Sequence, residues 1–208
     1  GKTSFDFDFD RDVLDSLRKA GIAIDDAALD GGRHGIRIAH TPKSPAQDLI
    51  EAADDCDVGE INRLIREAKA DLNATVGGMG TALMSAAYAG CVTGARALIN
   101  GGADINKGFP GAGTPLSIAV ANNDKTTVDE LLSKGADANA SVAGRHTPLN
   151  QAIREGDLEI VKALVEKGAD VNARSPHAGM RTPLAIAERN GEDAIASYLR
   201  SKCAKSAT

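Results

Sequence analysis

Large aromatic side chains are scarce in this chain of 208 residues, which has four Phe, two Tyr and no Trp. Three of the four Phe lie between residues 5 and 9. A compact globule normally relies on large rings in its core, so this scarcity argues against a single globular core. It agrees with stacked helix pairs, which pack closely through Ala and Leu.

Long apolar runs and paired cysteines are also missing. No apolar run approaches the roughly 20 residues of a membrane span, so we expect no direct membrane insertion. Cys56, Cys91 and Cys203 are an odd number in unrelated positions, which predicts three unlinked thiols. We expect a soluble protein, in the cytoplasm rather than in the periplasm or outside the cell.

The start of the chain lacks an initiator Met and a signal peptide, since it begins Gly1-Lys2. We therefore expect a processed form or a piece of a longer chain. The net charge of −5 and the pI near 5.4 argue against broad, sequence-independent binding of nucleic acid. A local basic patch is compatible with both values.

Residues 147–173 describe one structural unit. Thr147 can cap a helix, and Pro148 suits the first helical position because its missing N–H would have no partner there. Gly156 can stop that helix, and Asp157 can cap a second helix that ends at Gly168. The pattern predicts a tight helix-turn-helix, followed by an extended or turn segment.

Copies of this unit recur along the chain. The opening threonines are 33 residues apart, with a last step of 35: Thr81, Thr114, Thr147 and Thr182. Three Gly-Ala-Asp segments also lie 33 residues apart, beginning at Gly102, Gly135 and Gly168. A helix pair cannot bury its apolar stripe alone, so we expect these units to stack on one another.

Thr-Pro-Leu at the start of the first helix, together with a period of 33, resembles the ankyrin repeat family. The motif begins at Thr114, Thr147 and Thr182, and Thr81-Ala82-Leu83 is a near match. The chain departs from the family where a histidine usually follows this motif. Its four replacements are Met84, Ser117, Asn150 and Ala185.

The resemblance implies an all-α solenoid of five repeats of bacterial type in an ankyrin repeat domain over residues 47–204. The expected repeats are 47–74, 75–107, 108–140, 141–173 and 174–204, with the first helix of the first repeat beginning at Asp48. The first and last repeats are expected to act as caps. The end of the first repeat should be irregular, because Ala68-Lys69-Ala70 contains one residue more than its counterparts.

Residues 1–46 form an N-terminal extension whose structure is left open, with a mixed α/β arrangement among the alternatives. The alternating Phe-Asp run at 5–10 suits either an edge strand or a segment of biased composition. Residues 11–20 predict a short helix. Residues 22–24 and 35–39 predict short strands around a turn at Gly31-Gly32.

The sequence contains no recognisable catalytic constellation, and we expect no catalytic residues, no metal site and no cofactor. His146 and His177 lie in loops of adjacent repeats, but two ligands without a nearby Cys or carboxylate make a poor zinc site. The helix dipole can lower the pKa of Cys91, yet capping or packing is the stronger interpretation. Because no nucleophile, base and orienting group occur together, an enzyme is the weaker alternative.

The family resemblance implies a non-enzymatic module that binds another protein on a concave surface formed by loops and first helices. The arginines in the last two repeats suggest an acidic segment in the partner, and we expect a monomer that binds no nucleic acid. The expected contact residues are Met79, Tyr88, Asn122, Arg145, His146, Arg154, Glu155, His177, Arg181 and Arg189. The alternative is a regulatory or sensor portion of a larger, membrane-anchored bacterial protein.

Overall fold

The chain forms two compact units, residues 1–44 and residues 45–208. The computed structural model describes residues 44–204, except 79, 142–145 and 175–180, together with four short strands in the first unit. The strands are β1 (Ile24–Asp25), β2 (Ala28–Leu29), β3 (Arg33–His34) and β4 (Arg37–Ile38).

The strands of the first unit pair in antiparallel fashion, β1 with β4 and β2 with β3. Ile24 lies opposite Ile38, so this part of the predicted hairpin is confirmed. The Phe-Asp run at 5–10 and the predicted helix at 11–20 lie outside the described residues.

The second unit contains five helix pairs within its described residues. The helices are α1 (Pro45–Asp54), α2 (Val58–Arg66), α3 (Ala82–Tyr88), α4 (Val92–Asn100), α5 (Pro115–Ala121), α6 (Lys125–Ser133), α7 (Pro148–Glu155), α8 (Leu158–Glu166), α9 (Pro183–Asn190) and α10 (Asp193–Ser201). We refer to the two members of each pair as its first and second helix.

The first helices of the last four pairs begin at the predicted threonines. In each case the threonine Oγ1 accepts a hydrogen bond from the backbone N–H three residues later, as from Met84 to Thr81 at 3.3 Å. Pro115, Pro148 and Pro183 occupy the first turn of α5, α7 and α9. The helix starts therefore follow from capping and from the fixed φ of proline.

Aspartates cap the second helices α2, α6 and α8. The Oδ1 atoms of Asp57, Asp124 and Asp157 accept hydrogen bonds from backbone N–H groups three residues later, at 2.9 to 3.1 Å. Each bond satisfies one N–H that has no partner within its helix. The tight turn between the two helices of these pairs is thus fixed by its own sequence.

Neighbouring pairs stack through both rows of helices, α1-α3-α5-α7-α9 and α2-α4-α6-α8-α10. A buried leucine recurs in the second helices as Leu64, Leu98, Leu131, Leu164 and Leu199. Each pair buries its apolar stripe against its neighbours, which explains why no large ring is needed. This arrangement confirms the expected all-α solenoid of stacked helix-turn-helix units.

A side-chain ladder connects the loops that follow the second helices. Asn73 Oδ1 accepts a hydrogen bond from Asp104 N at 2.8 Å. The same bond recurs from Asp137 N to Asn106 at 2.9 Å and from Asp170 N to Asn139 at 2.8 Å. These bonds join each loop to the next, so the loops are held in register along the stack.

The structure corrects the predicted start of the first repeat. Helix α1 begins at Pro45 rather than at Asp48. Proline disfavours helix in the residue before it, so the sequence around Pro42 and Pro45 suggests a linker rather than a helix start. Proline at the first position of a helix carries no such penalty for the helix itself, and Pro45 starts α1 in this way.

The first repeat is irregular at its end, as expected from its extra residue. Lys69 adopts a left-handed conformation with φ 46°, where the middle repeats have Gly102, Gly135 and Gly168. Ala70 N–H donates to Leu64 O at 3.3 Å, a span one residue longer than the matching bond from Ala103 to Leu98.

The prediction of three unlinked thiols is wrong. Cys56 and Cys91 form a disulfide with a Cα–Cα distance of 5.5 Å, and Cys203 is free and exposed. The prediction failed because 35 residues separate the two cysteines in the chain, whereas the stacking of repeats brings their turns together. Cys91 precedes α4 and is buried, which confirms the packing part of its expected capping or packing role, although it makes no side-chain capping bond.

Candidate partner-binding surface

A groove of about 350 Å³ crosses the first helices of the second, third and fourth pairs. Its residues come from the exposed side of these helices and from the loops that precede them. They are Tyr88, Ala112, Gly113, Ser117, Ile118, Ala121, Asn122, Ser141, His146 and Gln151. We call this set the central groove. It brings together three of the predicted contact residues, Tyr88, Asn122 and His146.

Tyr88 forms one wall of the central groove and exposes 70% of its surface. It lies at the end of the short helix α3, and Asn122 Nδ2 donates a hydrogen bond to its backbone carbonyl at 2.9 Å. This bond links the ends of α3 and α5. The ring is therefore presented on a fixed backbone, and a large exposed aromatic of this kind is a typical anchor for a protein partner.

His146 lies half-buried where the loop meets α7. Arg154 Nη1 donates a hydrogen bond to His146 Nε2 at 2.7 Å, which requires the tautomer with its proton on Nδ1. Gln151 Nε2 donates to Glu155 Oε1 at 2.6 Å, one turn along the same helix. These bonds orient the polar groups of α7 beside the groove.

The arginines of the last pair lie further along the same row of first helices. Arg181 precedes α9 and Arg189 lies in its last turn, and both side chains are exposed. The neighbouring carboxylate of Glu188 accepts a hydrogen bond from Arg200 Nη2 at 2.7 Å. This ion pair joins the last turn of α9 to the second helix α10.

Three predicted contact residues lie outside the described part of the chain: Met79, Arg145 and His177. They remain predictions from the sequence.

Ile118 and Gln151 line the central groove but were not among the predicted contact residues. Both lie four residues after an opening threonine, one helical turn before positions 122 and 155. Residues four apart lie on the same side of a helix, so extending the predicted surface by one turn would have included both.

The shifted pKa values have simple causes on the second helices. Hydrogen bonding to Arg96 lowers the pKa of Glu130, and hydrogen bonding to Glu159 raises the pKa of Lys162. Burial raises the pKa of Tyr198, whose hydroxyl has no hydrogen-bond partner within the part of the chain that the structure describes. Ion pairs and burial explain these shifts without a catalytic role.

Neither metal ligands nor membrane spans are evident in the described residues. No group of three or more His, Cys, Asp or Glu side chains there is arranged to hold a metal ion. Within the same residues, no helix has both the length and the apolar character to cross a membrane.

Residues 116–207 match the family model described as ankyrin repeats, in three copies. No curated protein matches the chain. Ankyrin repeats generally mediate protein–protein interactions, and proteins of this family are typically not enzymes. The match over residues 116–207 and the stacked helix pairs of the described residues from 45 to 204 together agree with an all-α ankyrin-repeat solenoid.

Proposed function

We propose that this chain is a non-enzymatic interaction module of five ankyrin-like repeats that binds one partner protein on its concave surface. The observation that carries the proposal is the central groove, where an exposed Tyr88 and the side chain of Ile118 form an apolar patch. The described residues bury their other large apolar side chains wholly or in part. Burying the Tyr88 ring under a partner would add apolar contact area at the cost of few rotatable bonds.

The second feature of the proposed partner is an acidic segment, which the arginines of this surface would complement. Three exposed arginines, Arg154, Arg181 and Arg189, lie on or just before the first helices of the last two pairs. The carboxylate of Glu188 is paired with Arg200. An acidic segment would complement these cations, while an apolar side chain on the same segment would occupy the groove. We therefore propose a partner segment with one apolar residue followed by Asp or Glu, bound by a monomer of this chain.

Selection from a library of random displayed peptides tests both elements. We expect the enriched peptides to combine an apolar residue with acidic residues, and their binding to weaken as the salt concentration rises. Tyr88→Ala should weaken binding by at least about tenfold, since truncation of an anchoring aromatic costs about 2 kcal/mol or more. The charge reversals Arg154→Glu and Arg189→Glu should weaken it further and remove its salt dependence.

A matched control comes from Arg66→Glu, which reverses an exposed charge on the second helix α2. It should leave peptide binding unchanged, and all variants should retain wild-type helicity. If Arg66→Glu weakens binding as much as Arg154→Glu does, the interaction is non-specific attraction to net charge. A library that enriches no peptide, or equal binding by Tyr88→Ala, would contradict the proposed surface.

A second candidate is the regulatory or sensor portion of a larger, membrane-anchored bacterial protein. The observation that favours it is the separate compact unit of residues 1–44, which the solenoid does not include. The reading frame on either side of this sequence decides the point. A membrane span encoded in that frame would support the candidate, and its absence there would eliminate it.

A further inference from the structure

The turn between two helices lies against the start of the second helix in the next repeat. A Cβ atom added to Gly90 would lie 3.2 Å from Asp124 Oδ2, and one added to Gly156 would lie 3.0 Å from Glu192 Oε1. Cys56 occupies the turn position in the first repeat, and Cys91 occupies the capping position in the second. The disulfide therefore replaces a contact that other repeats make without a covalent bond.

The backbone at position 56 has a conformation that favours glycine, but the residue there is a cysteine. It adopts φ 56°, a left-handed conformation that the equivalent Gly90, Gly156 and Gly191 adopt without steric cost. The third repeat has Asn123 there, at φ 54°, and asparagine tolerates this conformation better than most residues with a side chain. A side chain at such a position is unfavourable unless another interaction compensates. The bond to Cys91 is such an interaction.

Two residues of the second repeat show matching departures. Cys91 makes no capping hydrogen bond, like Glu192 in the last repeat, whereas Asp124 and Asp157 cap their helices. Gly94 lies inside α4, where a glycine weakens the helix. A Cβ added to Gly94 would lie 2.8 Å from Cys91 Sγ and 3.1 Å from Ile61 Cδ1, so the missing side chain makes room for the disulfide.

We propose that the Cys56–Cys91 disulfide is a redox-controlled lock that holds the first repeat on the second. The unfavourable local choices at positions 56 and 94 are both explained by this one bond. The first repeat depends on it because a terminal repeat of a solenoid has a stacking neighbour on one side only. This lock is also the reason to prefer an oxidising compartment over the cytoplasmic location expected from the sequence.

The lock opens when a dithiol reductant transfers two electrons to the disulfide. A thiolate of the reductant attacks one sulfur, and the mixed disulfide is resolved by the second thiol of the reductant. The products are two protein thiols, which take up two protons, and the oxidised reductant. Cys56 is exposed and Cys91 is buried, so the reductant has direct access to the Cys56 sulfur.

The first experiment uses the full chain with Cys203→Ser, which removes the free thiol. The folded, air-oxidised protein should present no titratable thiol, and dithiothreitol should release two. Amide hydrogen exchange in residues 45–66 should then accelerate by at least about tenfold, because the disulfide no longer restricts the locally opened states from which these amides exchange. Exchange in residues 148–166 should stay unchanged and serves as the internal control.

A matched variant separates the lock from other effects of the reductant. Cys56→Gly with Cys91→Asp restores the residue types that the other repeats use. Exchange in residues 45–66 of this variant should be independent of dithiothreitol and slower than in the reduced Cys203→Ser protein. Two titratable thiols in the oxidised Cys203→Ser protein, or exchange that reduction leaves unchanged, would overturn the proposal.

The compartment is tested separately by blocking thiols in intact cells of the native source before lysis. Peptide mass spectrometry should then recover Cys56 and Cys91 as a linked pair. Recovery of both residues in blocked form would overturn the oxidising compartment.

Discussion

The first and fourth repeats share one architecture but stabilise it by different means. Both bury the equivalent leucine, Leu64 in α2 and Leu164 in α8. In the fourth repeat, glycines at 156 and 168 occupy the two left-handed positions, whereas the first repeat has Cys56 and Lys69 there. The apolar positions therefore determine the helix pair, while the turns tolerate residues other than glycine, with a cross-link at Cys56 and without one at Lys69.

The largest expected difference comes from truncating the equivalent leucines. Leu164→Ala should lower the free energy of unfolding by about 2 to 5 kcal/mol, because it opens a cavity in a fully packed core. Leu64→Ala creates a similar cavity, but its effect on global unfolding should be smaller, since the terminal repeat has one stacking neighbour.

Urea denaturation followed by circular dichroism measures both variants. Amide exchange should show that Leu64→Ala loosens residues 45–66 alone, with residues 148–166 protected as in the wild type. Equal loss of global stability in the two variants would show that the solenoid unfolds as one unit. It would contradict the expectation that the first repeat contributes less to global stability than the fourth.

The fourth repeat has a weakness of its own at Asn150. This side chain is fully buried, and among the described residues neither Nδ2 nor Oδ1 has a hydrogen-bond partner. Asn150→Leu should raise the free energy of unfolding by about 1 kcal/mol, because it removes two unsatisfied polar atoms and retains a similar shape.

The matched position in the third repeat is Ser117, whose Oγ accepts from Thr114 N at 2.8 Å and donates to Thr114 O at 2.9 Å. Ser117→Ala should therefore lower stability by about 1 kcal/mol. Thermal melting of both variants shows whether each substitution raises or lowers the stability. A destabilised Asn150→Leu would indicate that the site does not accommodate the added apolar volume.

Exchanging residues at the left-handed position after the second helix isolates the backbone effect. Lys69→Gly should stabilise the first repeat by about 1 kcal/mol, because glycine adopts positive φ without cost. Gly168→Ala should destabilise the fourth by a similar amount, since φ is 91° and a Cβ there meets no atom within 4 Å. Equal and opposite shifts in urea midpoint are expected; shifts of the same sign would contradict a backbone origin.

The smallest effect concerns an ion pair that joins the second and third repeats. Arg96 donates two hydrogen bonds of 2.8 Å to the Glu130 carboxylate, and these bonds lower the pKa of Glu130. A lowered folded pKa means that the pair stabilises the fold above the ordinary glutamate pKa, and that this stability is lost as the pH falls through the folded pKa.

Melting temperatures of the wild type and Glu130→Gln between pH 3 and pH 7 test this pair. The wild type should melt higher at pH 7 by no more than a few degrees, because exposed ion pairs contribute little. The two curves should converge as the pH falls. A difference that stays constant with pH would assign the effect to packing rather than to charge.

The sequence alone predicted the helix pairs because their signals are local. Thr147, Pro148 and Gly156 each determine the backbone of their own segment, and the period of 33 residues multiplies that information. The match between residues 116–207 and ankyrin repeats agrees with this prediction.

The disulfide and the central groove depend on the stacking of different repeats, and local signals do not carry that information. Aligning the turns would have placed Cys56 against Cys91, since a glycine position of one repeat faces the capping position of the next. The composition of the groove, and the bond between His146 and Arg154, required side-chain positions from the structure.

The Asn-Asp ladder makes the solenoid modular in a practical sense. Asn106 Oδ1 accepts a hydrogen bond from Asp137 N at 2.9 Å, and Asn139 Oδ1 accepts the same bond from Asp170 N at 2.8 Å. A designer who duplicates residues 108–140 in tandem would therefore regenerate the loop junction at both seams. The chain can in this way be lengthened by whole units, and the recognition surface extended without a newly designed joint.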